Sequence, residues 1–105
     1  MNNWYPGRSL DEDKRYQIKD INVIARNARR AFDDYMPTRP GPIYRRIRRG
    51  PLCDVFLVDE RSYRAVNSAN RQTAESDETR FLGDEQREWL KAALLSSSAQ
   101  WKIIA

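Results

Sequence analysis

The sequence contains no histidine and a single cysteine, Cys53. Histidine is the commonest general base and the commonest ligand for transition metals, so its absence excludes a Ser-His-Asp triad and a histidine-based zinc site within this chain. One cysteine cannot form an internal disulfide bond. Because no histidine could activate its thiol, we interpret Cys53 as a buried strand residue rather than a nucleophile or a metal ligand.

Long apolar runs are also missing, and no stretch approaches the ~20 residues that a membrane-spanning helix needs. No apolar segment follows a basic start in residues 1–6, so the opening is not typical of a signal peptide. A length of 105 residues and a mean hydropathy of -0.85 suit one small soluble domain with a thin core. We therefore expect no membrane partner.

Arginine is the residue type in excess. Lys and Arg total 19 against 15 Asp and Glu, a formal net charge of +4, and four arginines lie close together at positions 45, 46, 48 and 49. With Tyr44 beside them, they could bind phosphates or stack on single-stranded nucleic acid. A solvated strand face is the favoured interpretation because acidic residues are plentiful elsewhere, so nucleic acid is not an expected partner.

The first half of the chain predicts a helix followed by a hairpin. Apolar residues at positions 21, 24, 25, 28, 32 and 35 form one helical stripe, so we expect a helix over residues 16–35 that Pro37 ends. Residues 43–48 alternate like a strand, and residues 55–58 are typical of a central strand buried on both faces. The Gly50-Pro51 turn between them favours an antiparallel pair.

The second half predicts a long polar loop over residues 59–79, a helix and a last strand. Gly83-Asp84 should cap a helix over residues 85–97, whose inner face is Leu90, Ala93, Leu94 and Ser97 with Trp89 beside them. Residues 101–105 are typical of a buried strand, and the aromatic residues Phe81, Trp89 and Trp101 are interpreted as core.

The order strand, helix, strand over residues 55–105 predicts a βαβ unit with parallel strands. One such unit and one extra helix cannot cover both faces of a sheet. The predicted fold class is therefore α/β, as a partial domain whose missing layers come from another chain segment or another copy. The open sheet edge and the two apolar helix faces favour self-association.

The loop after the central strand is the predicted functional site, because function gathers at the carboxyl ends of strands in α/β sheets. Asp59 follows the apolar strand directly, so its carboxylate should lie at the sheet margin. Arg61 and Arg64 could form a forked clamp for a phosphate. We interpret Asp59, Arg61 and Arg64 as candidate catalytic residues and the two arginines as candidate substrate-binding residues. In the alternative, Asp59 pairs with one of the arginines and only anchors the loop.

Several motifs then occur in a fixed order: Tyr35-Met36-Pro37 with Arg39, Ile43-Tyr44-Arg45, Gly50, LVDERSYR at residues 57–64, LGDEQREWL at residues 82–90 and SSAQWKII at residues 97–104. Together they resemble the alkaline phosphatase D (PhoD-like) family of metallophosphoesterases over nearly the whole chain. The resemblance implies a calcineurin-like α/β sandwich, of which residues 1–105 are a middle segment. It also implies hydrolysis of phosphate mono- and diesters with calcium and iron, in a family whose members are often exported from bacteria.

The resemblance also implies where the metal ligands lie. Asn2 and Asn3 match the residues that follow one ligand motif of the family, so they would support the ligands without touching the metal. The other ligand motifs lie outside residues 1–105, and Cys53 does not match the family's ligand cysteine. We therefore expect no metal ligand in this chain and no activity from it alone. The alternative function is a non-enzymatic interaction or nucleic-acid-binding module that uses the arginine-rich hairpin.

Overall fold

The computed structural model describes residues 3–69 and 71–105. Two α-helices, one short 3-10 helix and three strands follow one another along this part of the chain. In order they are α1 (Ile21–Tyr35), β1 (Arg45–Arg49), β2 (Cys53–Leu57), a short 3-10 helix (Asp77–Thr79), α2 (Asp84–Leu95) and β3 (Trp101–Ile104). The predicted order of helix, hairpin, long loop, helix and strand is confirmed.

The strands form one mixed sheet in the order β1-β2-β3. β1 and β2 are antiparallel and Arg49 pairs with Cys53, so a loop of residues 50–52 closes the hairpin. Gly50 has a φ of 68° in that loop, a conformation that glycine adopts without steric cost. β2 and β3 are parallel, as the βαβ pattern predicts. The tight turn extends β2 back to Cys53, whereas the apolar run alone indicated a start at residue 55.

Helix α1 begins five residues later than the periodicity indicated. The Asp20 side chain accepts a hydrogen bond from the Asn22 backbone N–H at 2.8 Å and so caps the helix. Because an N-cap residue has non-helical backbone angles, the helix cannot extend back to residue 16. Along its apolar stripe, Ile21 is buried, whereas Phe32 and Tyr35 near the other end are exposed.

The two faces of the sheet differ in how they are covered. Alternate side chains of a strand point to the same face, so Asp54 and Phe56 share a face, and both are buried. On that face Asp54 bonds to Ser97, which follows α2, and Lys102 bonds to the Leu94 carbonyl near the carboxyl-terminal end of α2. Val55 and Leu57 on the opposite face are only half-buried. The prediction of a central strand buried on both faces is therefore wrong for this chain, because α2 covers one face only.

The molecule is consequently flat. Its extents are 51 × 41 × 18 Å and its radius of gyration is 16.7 Å, compared with about 13 Å for a compact domain of this length. The described residues form a single three-stranded sheet, so the two-sheet sandwich that the resemblance implies stays a prediction. Neither helix in the described ranges is long and apolar enough to cross a lipid bilayer.

Candidate functional site at the end of the central strand

Asp59 lies at the carboxyl end of β2, where the sequence places it. The Val58 backbone N–H still bonds to the Ala105 carbonyl at 2.8 Å, and the chain then leaves the sheet. The Asp59 carboxylate is buried and accepts hydrogen bonds from the backbone N–H groups of Arg61 at 3.0 Å and Ser62 at 2.9 Å. These bonds shape the first turn of the loop, as aspartate side chains do in Asx turns.

A buried glutamine of α2 holds the same point of the chain from the other side. Gln86 accepts a hydrogen bond from the Asp59 backbone N–H at 2.6 Å and donates to the Asp59 carbonyl at 3.0 Å. It also donates to the Leu82 carbonyl at 2.7 Å. The sequence analysis missed this residue because it is polar. Its spacing of four from Leu90 places it on the same inner face of the helix, which is the signal that could have found it.

The two candidate arginines contact different parts of the chain. One guanidinium nitrogen of Arg61, Nη1, donates to the Trp4 carbonyl at 3.4 Å, on the exposed side of the loop. The Arg64 guanidinium carbon lies 5.2 Å from the centroid of the Phe81 ring, within the range of a cation–π interaction. A forked clamp made by both arginines stays a prediction. The Asp59 carboxylate accepts hydrogen bonds from backbone N–H groups. Among the described residues, no ion pair joins it to Arg61 or Arg64.

Arg64 has an unused hydrogen-bond donor. Its Nε is buried and has no hydrogen-bond partner among residues 3–69 and 71–105. A buried donor without a partner costs about 1–3 kcal/mol, so an acceptor placed beside Arg64 would recover that free energy. Nε1 of Trp4 is likewise buried without a hydrogen-bond partner among the described residues. The hydrogen bond from Arg61 to the Trp4 carbonyl joins the segment that carries Trp4 to the loop that carries Arg64.

The beginning of the chain lies against this loop. The Asn3 carbonyl accepts a hydrogen bond from the side-chain amide of Asn67 at 3.1 Å, and Asn3 has a φ of 54°, a conformation that asparagine tolerates better than most residues. The predicted supporting residue Asn3 therefore contacts the predicted functional loop. Asn2 lies outside the described residues, and the supporting role of both asparagines stays a prediction.

Aromatic side chains pack where the loop, β1 and α2 meet. The ring of Tyr44 lies 5.9 Å from that of Tyr63 and 5.0 Å from that of Trp89, measured between centroids. The Tyr44 hydroxyl donates to Glu85 at 3.0 Å, and this bond, with burial, raises the pKa of Tyr44. Of the three aromatics interpreted as core, Trp89 is half-buried, but Phe81 and Trp101 are exposed. That prediction is wrong for the latter two because no layer covers them here.

A second polar cluster ties the hairpin to the end of α2. Oδ2 of Asp54 accepts hydrogen bonds from Nε of Arg46 at 3.0 Å, from Nη2 of Arg46 at 2.5 Å and from Oγ of Ser97 at 2.5 Å. These bonds, first those from Arg46, lower the pKa of Asp54. The sequence analysis treated Arg46 as part of a solvated face and did not predict this buried ion pair. Register across the hairpin could have found it, because Arg46 and Asp54 occupy neighbouring positions on one face.

The side chains that the structure describes do not form a metal centre. The described ranges hold no group of three or more His, Cys, Asp or Glu side chains that could bind an ion. Asp54 bonds to Arg46, Asp59 bonds to its own turn, and Cys53 is half-buried in the sheet. The calcium and iron that the resemblance implies would need ligands from outside this set.

Comparison with known proteins gives a consistent result. A family model described as "PhoD-like phosphatase" matches residues 1–105. The chain is also similar to alkaline phosphatase D of Bacillus subtilis (strain 168), with 36% identity over 94 residues that cover 74% of this chain and 16% of that protein. The match thus spans 16% of the length of this curated relative. No solved structure matches the chain at a significant level. On the strength of the family match and the identity, the chain belongs to the PhoD-like phosphatase family.

Proposed function

We propose that the chain is a segment of a hydrolase that cleaves phosphate mono- and diesters, and that it supplies the strand-end loop beside the catalytic centre. The family match over residues 1–105 is the observation that carries this proposal. The flat shape of the molecule supports it, because a sheet covered on one face is typical of one part of a larger domain. Residues 1–105 would then be a middle segment of the domain, within a calcineurin-like sandwich.

In this proposal the chain alone is inactive. Phosphoesterases of this kind draw their nucleophile and part of their charge stabilisation from bound metals, and the side chains described here offer no ligand set. Calcium and iron would be held by residues outside this chain. Asn2 and Asn3 would lie beside those ligands, and the contact of Asn3 with Asn67 would couple that region to the loop.

The chain's own contribution is phosphate binding and positioning. Arg64 is the stronger candidate for contact with substrate, because its guanidinium is oriented by Phe81 while its Nε lacks an acceptor among the described residues. Arg61 is exposed and makes one long hydrogen bond, so its remaining donors are free to bind an anion. The buried bonds of Asp59 favour a role in positioning the two arginines rather than direct contact with substrate.

The alternative, a binding module built on the arginine-rich hairpin, has less support. Arg46 is held by Asp54, and Arg45 donates to the Ile43 carbonyl. Only Arg48 and Arg49 of the four extend as exposed residues of β1, which leaves little charge for a specific nucleic-acid surface.

A segment exchange tests the proposal. The matched stretch of the Bacillus subtilis relative is replaced by this chain, and hydrolysis of p-nitrophenyl phosphate and bis-p-nitrophenyl phosphate is measured with calcium and iron present. We expect turnover from the folded chimera and none from the isolated chain. A folded chimera that binds its metals but hydrolyses neither ester would contradict the proposal, and chelator-sensitive turnover by the isolated chain would contradict its inactivity.

A further inference from the structure

The side-chain amide of Gln86 bonds to two separate parts of the candidate site. The residue is only 1% exposed, and its amide oxygen accepts from the Asp59 backbone N–H at 2.6 Å. The amide nitrogen donates to the Asp59 carbonyl at 3.0 Å and to the Leu82 carbonyl at 2.7 Å. One buried side chain therefore joins the end of β2 to the segment that leads into α2.

The segment that Gln86 holds at Leu82 is also the segment that orients Arg64. Phe81 directly precedes Leu82, and the Arg64 guanidinium carbon lies 5.2 Å from the centroid of the Phe81 ring. The Ala65 backbone N–H donates to the Arg80 carbonyl at 2.8 Å, so the two segments lie side by side. A shift of the segment before α2 would therefore also move the Arg64 guanidinium.

The beginning of α2 contacts the loop a second time, immediately before Arg64. A Cβ built on Gly83 would lie 3.0 Å from the Cβ of Tyr63, so the loop and the start of the helix are in close contact there. The Tyr63 ring lies 5.9 Å from the ring of Tyr44, whose hydroxyl donates to Glu85 in the first turn of α2. The helix thus holds the loop at its start and next to Arg64.

Given the proposed function, on which this inference rests, we propose that Gln86 is a positioning residue for the phosphate contact of Arg64. Its amide fixes the spacing between the end of β2 and the segment that carries Phe81, and so it fixes the direction of the guanidinium donors. The amide is buried and bonds to backbone groups, so Gln86 does not contact substrate itself. Because a misplacement of about 1 Å can lower a rate by about 100-fold, loss of the amide should impair catalysis as well as folding.

The first test measures order in the loop and does not depend on turnover. In the chimera described above, Gln86→Met removes the amide and keeps a side chain of similar length. Hydrogen exchange, followed by mass spectrometry, should become at least about tenfold faster over residues 59–65 and stay unchanged over residues 45–57. Unchanged exchange over residues 59–65 would overturn the proposal.

Ser97→Ala is the matched control for this test. It removes a buried hydrogen bond to Asp54 beyond the other end of α2, so it perturbs the contact between helix and sheet without touching the loop. Exchange over residues 59–65 should stay at the wild-type rate. An equal acceleration there by Ser97→Ala would show that the loop responds to any weakening of α2, and would refute a specific role for Gln86.

The second test asks whether Gln86 acts through Arg64. At a temperature well below every unfolding midpoint, Gln86→Met should lower kcat/KM for bis-p-nitrophenyl phosphate by at least about tenfold, and Ser97→Ala should change it by less than about twofold. In the Arg64→Ala background, Gln86→Met should cost less than about threefold more, because the contact that it positions is already absent. A further tenfold loss in that background would refute the positioning role.

Gln86→Asn keeps the proposal decidable if Gln86→Met does not fold. Asparagine retains the amide but is shorter by one methylene group, so the amide cannot reach Asp59 and Leu82 together, and the same loss of kcat/KM is expected. Wild-type kcat/KM in folded Gln86→Asn would refute the proposal. A folded, metal-bound chimera with Gln86 intact but without turnover would instead refute the proposed function, and the exchange rates would still decide whether Gln86 orders the loop.

Discussion

The side-chain amide of Gln86 forms two hydrogen bonds with the backbone of Asp59, accepting from its N–H at 2.6 Å and donating to its carbonyl at 3.0 Å. This pair joins the first turn of α2 to the point where the chain leaves β2. The Asp59 carboxylate meanwhile holds the turn that follows. The start of the candidate loop is therefore fixed from both sides, although most of the loop has no regular structure.

Gln86→Leu should destabilise the chain strongly. The substitution leaves the N–H and carbonyl of Asp59 buried without these partners, at a cost of about 2–4 kcal/mol in the free energy of unfolding. Urea unfolding followed by circular dichroism measures the change. Gln100→Leu is the control at an exposed position and should cost less than about 0.5 kcal/mol. Equal stabilities for the two variants would show that the amide is not a structural clamp.

The folded chain should become less stable in acid because the carboxylate of Asp54 is then protonated. Arg46 and Ser97 hold the pKa of its carboxyl below the ordinary value of 3.8, so the ionised form is favoured in the folded state. For a depressed pKa, the stabilisation is present above the unfolded value and is lost as pH falls through the folded value. Asp54→Asn should therefore lower the midpoint of thermal unfolding at neutral pH and flatten its dependence on pH below about 4.

The control for this prediction is Asp77→Asn, which removes a carboxylate from an exposed ion pair with Arg80. Exposed pairs contribute little to stability, so the pH profile of this variant should follow that of the wild type. If Asp54→Asn retains the wild-type slope in acid, the buried ion pair is not the source of acid sensitivity.

Gly83→Ala should cost more than an alanine at another glycine of similar backbone angle. Gly83 has a φ of 75°, and a Cβ there would lie 3.0 Å from the Cβ of Tyr63. Gly7 has a φ of 76°, and a Cβ there would meet no atom within 4 Å beyond its chain neighbours. Both variants carry the conformational penalty of about 1 kcal/mol, and Gly83→Ala adds a contact penalty of about 1–2 kcal/mol. Identical unfolding midpoints would rule out a steric role for Tyr63.

Kinetic measurements distinguish two possible roles of the loop arginines, contact with the substrate phosphate and anchoring of the loop. In the chimera described above, loss of a phosphate contact in Arg64→Ala should lower kcat/KM by about 10- to 100-fold with an unchanged Tm. Arg64→Lys should recover little, because lysine cannot reproduce the guanidinium fork. A lower Tm with weaker metal binding would instead indicate a loop anchor. Arg61→Ala is measured in the same way.

Arg71→Ala is the control for both arginines, since Arg71 is an exposed arginine of the same loop. It should leave kcat/KM and Tm unchanged. If Arg61→Ala and Arg64→Ala also leave both quantities unchanged, the functional residues lie elsewhere and the loop after β2 has been given the wrong role.

Local patterns were sufficient for much of the fold. Periodicity predicted both helices, and the Gly50-Pro51 turn between an alternating strand and an apolar strand predicted the hairpin, because both signals depend on neighbours in sequence. The βαβ rule then predicted that β2 and β3 are parallel. The start of α1 was missed because the cap at Asp20, rather than hydrophobic spacing, determines it.

Contacts between distant residues were harder to predict. Gln86 and Asp59 are 27 positions apart, and Asp54 meets Ser97 across 43 positions, so neither pair leaves a local signal. Burial was overestimated for Trp101 and Phe81, because an apolar residue predicts a core only where another layer is present to cover it. The loop that carries Asp59, Arg61 and Arg64 follows β2 as predicted, and its functional role stays a prediction. The different partners of Arg61 and Arg64 depend on Trp4 and Phe81, which lie far away in sequence.

The flatness of the molecule has a consequence for how the chain unfolds. Its accessible surface is 8357 Å², whereas a compact protein of this mass exposes about 6,100 Å². Folding therefore buries about a fifth less surface than usual for this chain length. The urea m-value and the heat-capacity change of unfolding both scale with buried surface, so each should be lower than for a compact domain of equal length by about that fraction. The m-value and the heat-capacity change of unfolding thus measure how much of this chain's surface is left for other polypeptide to cover.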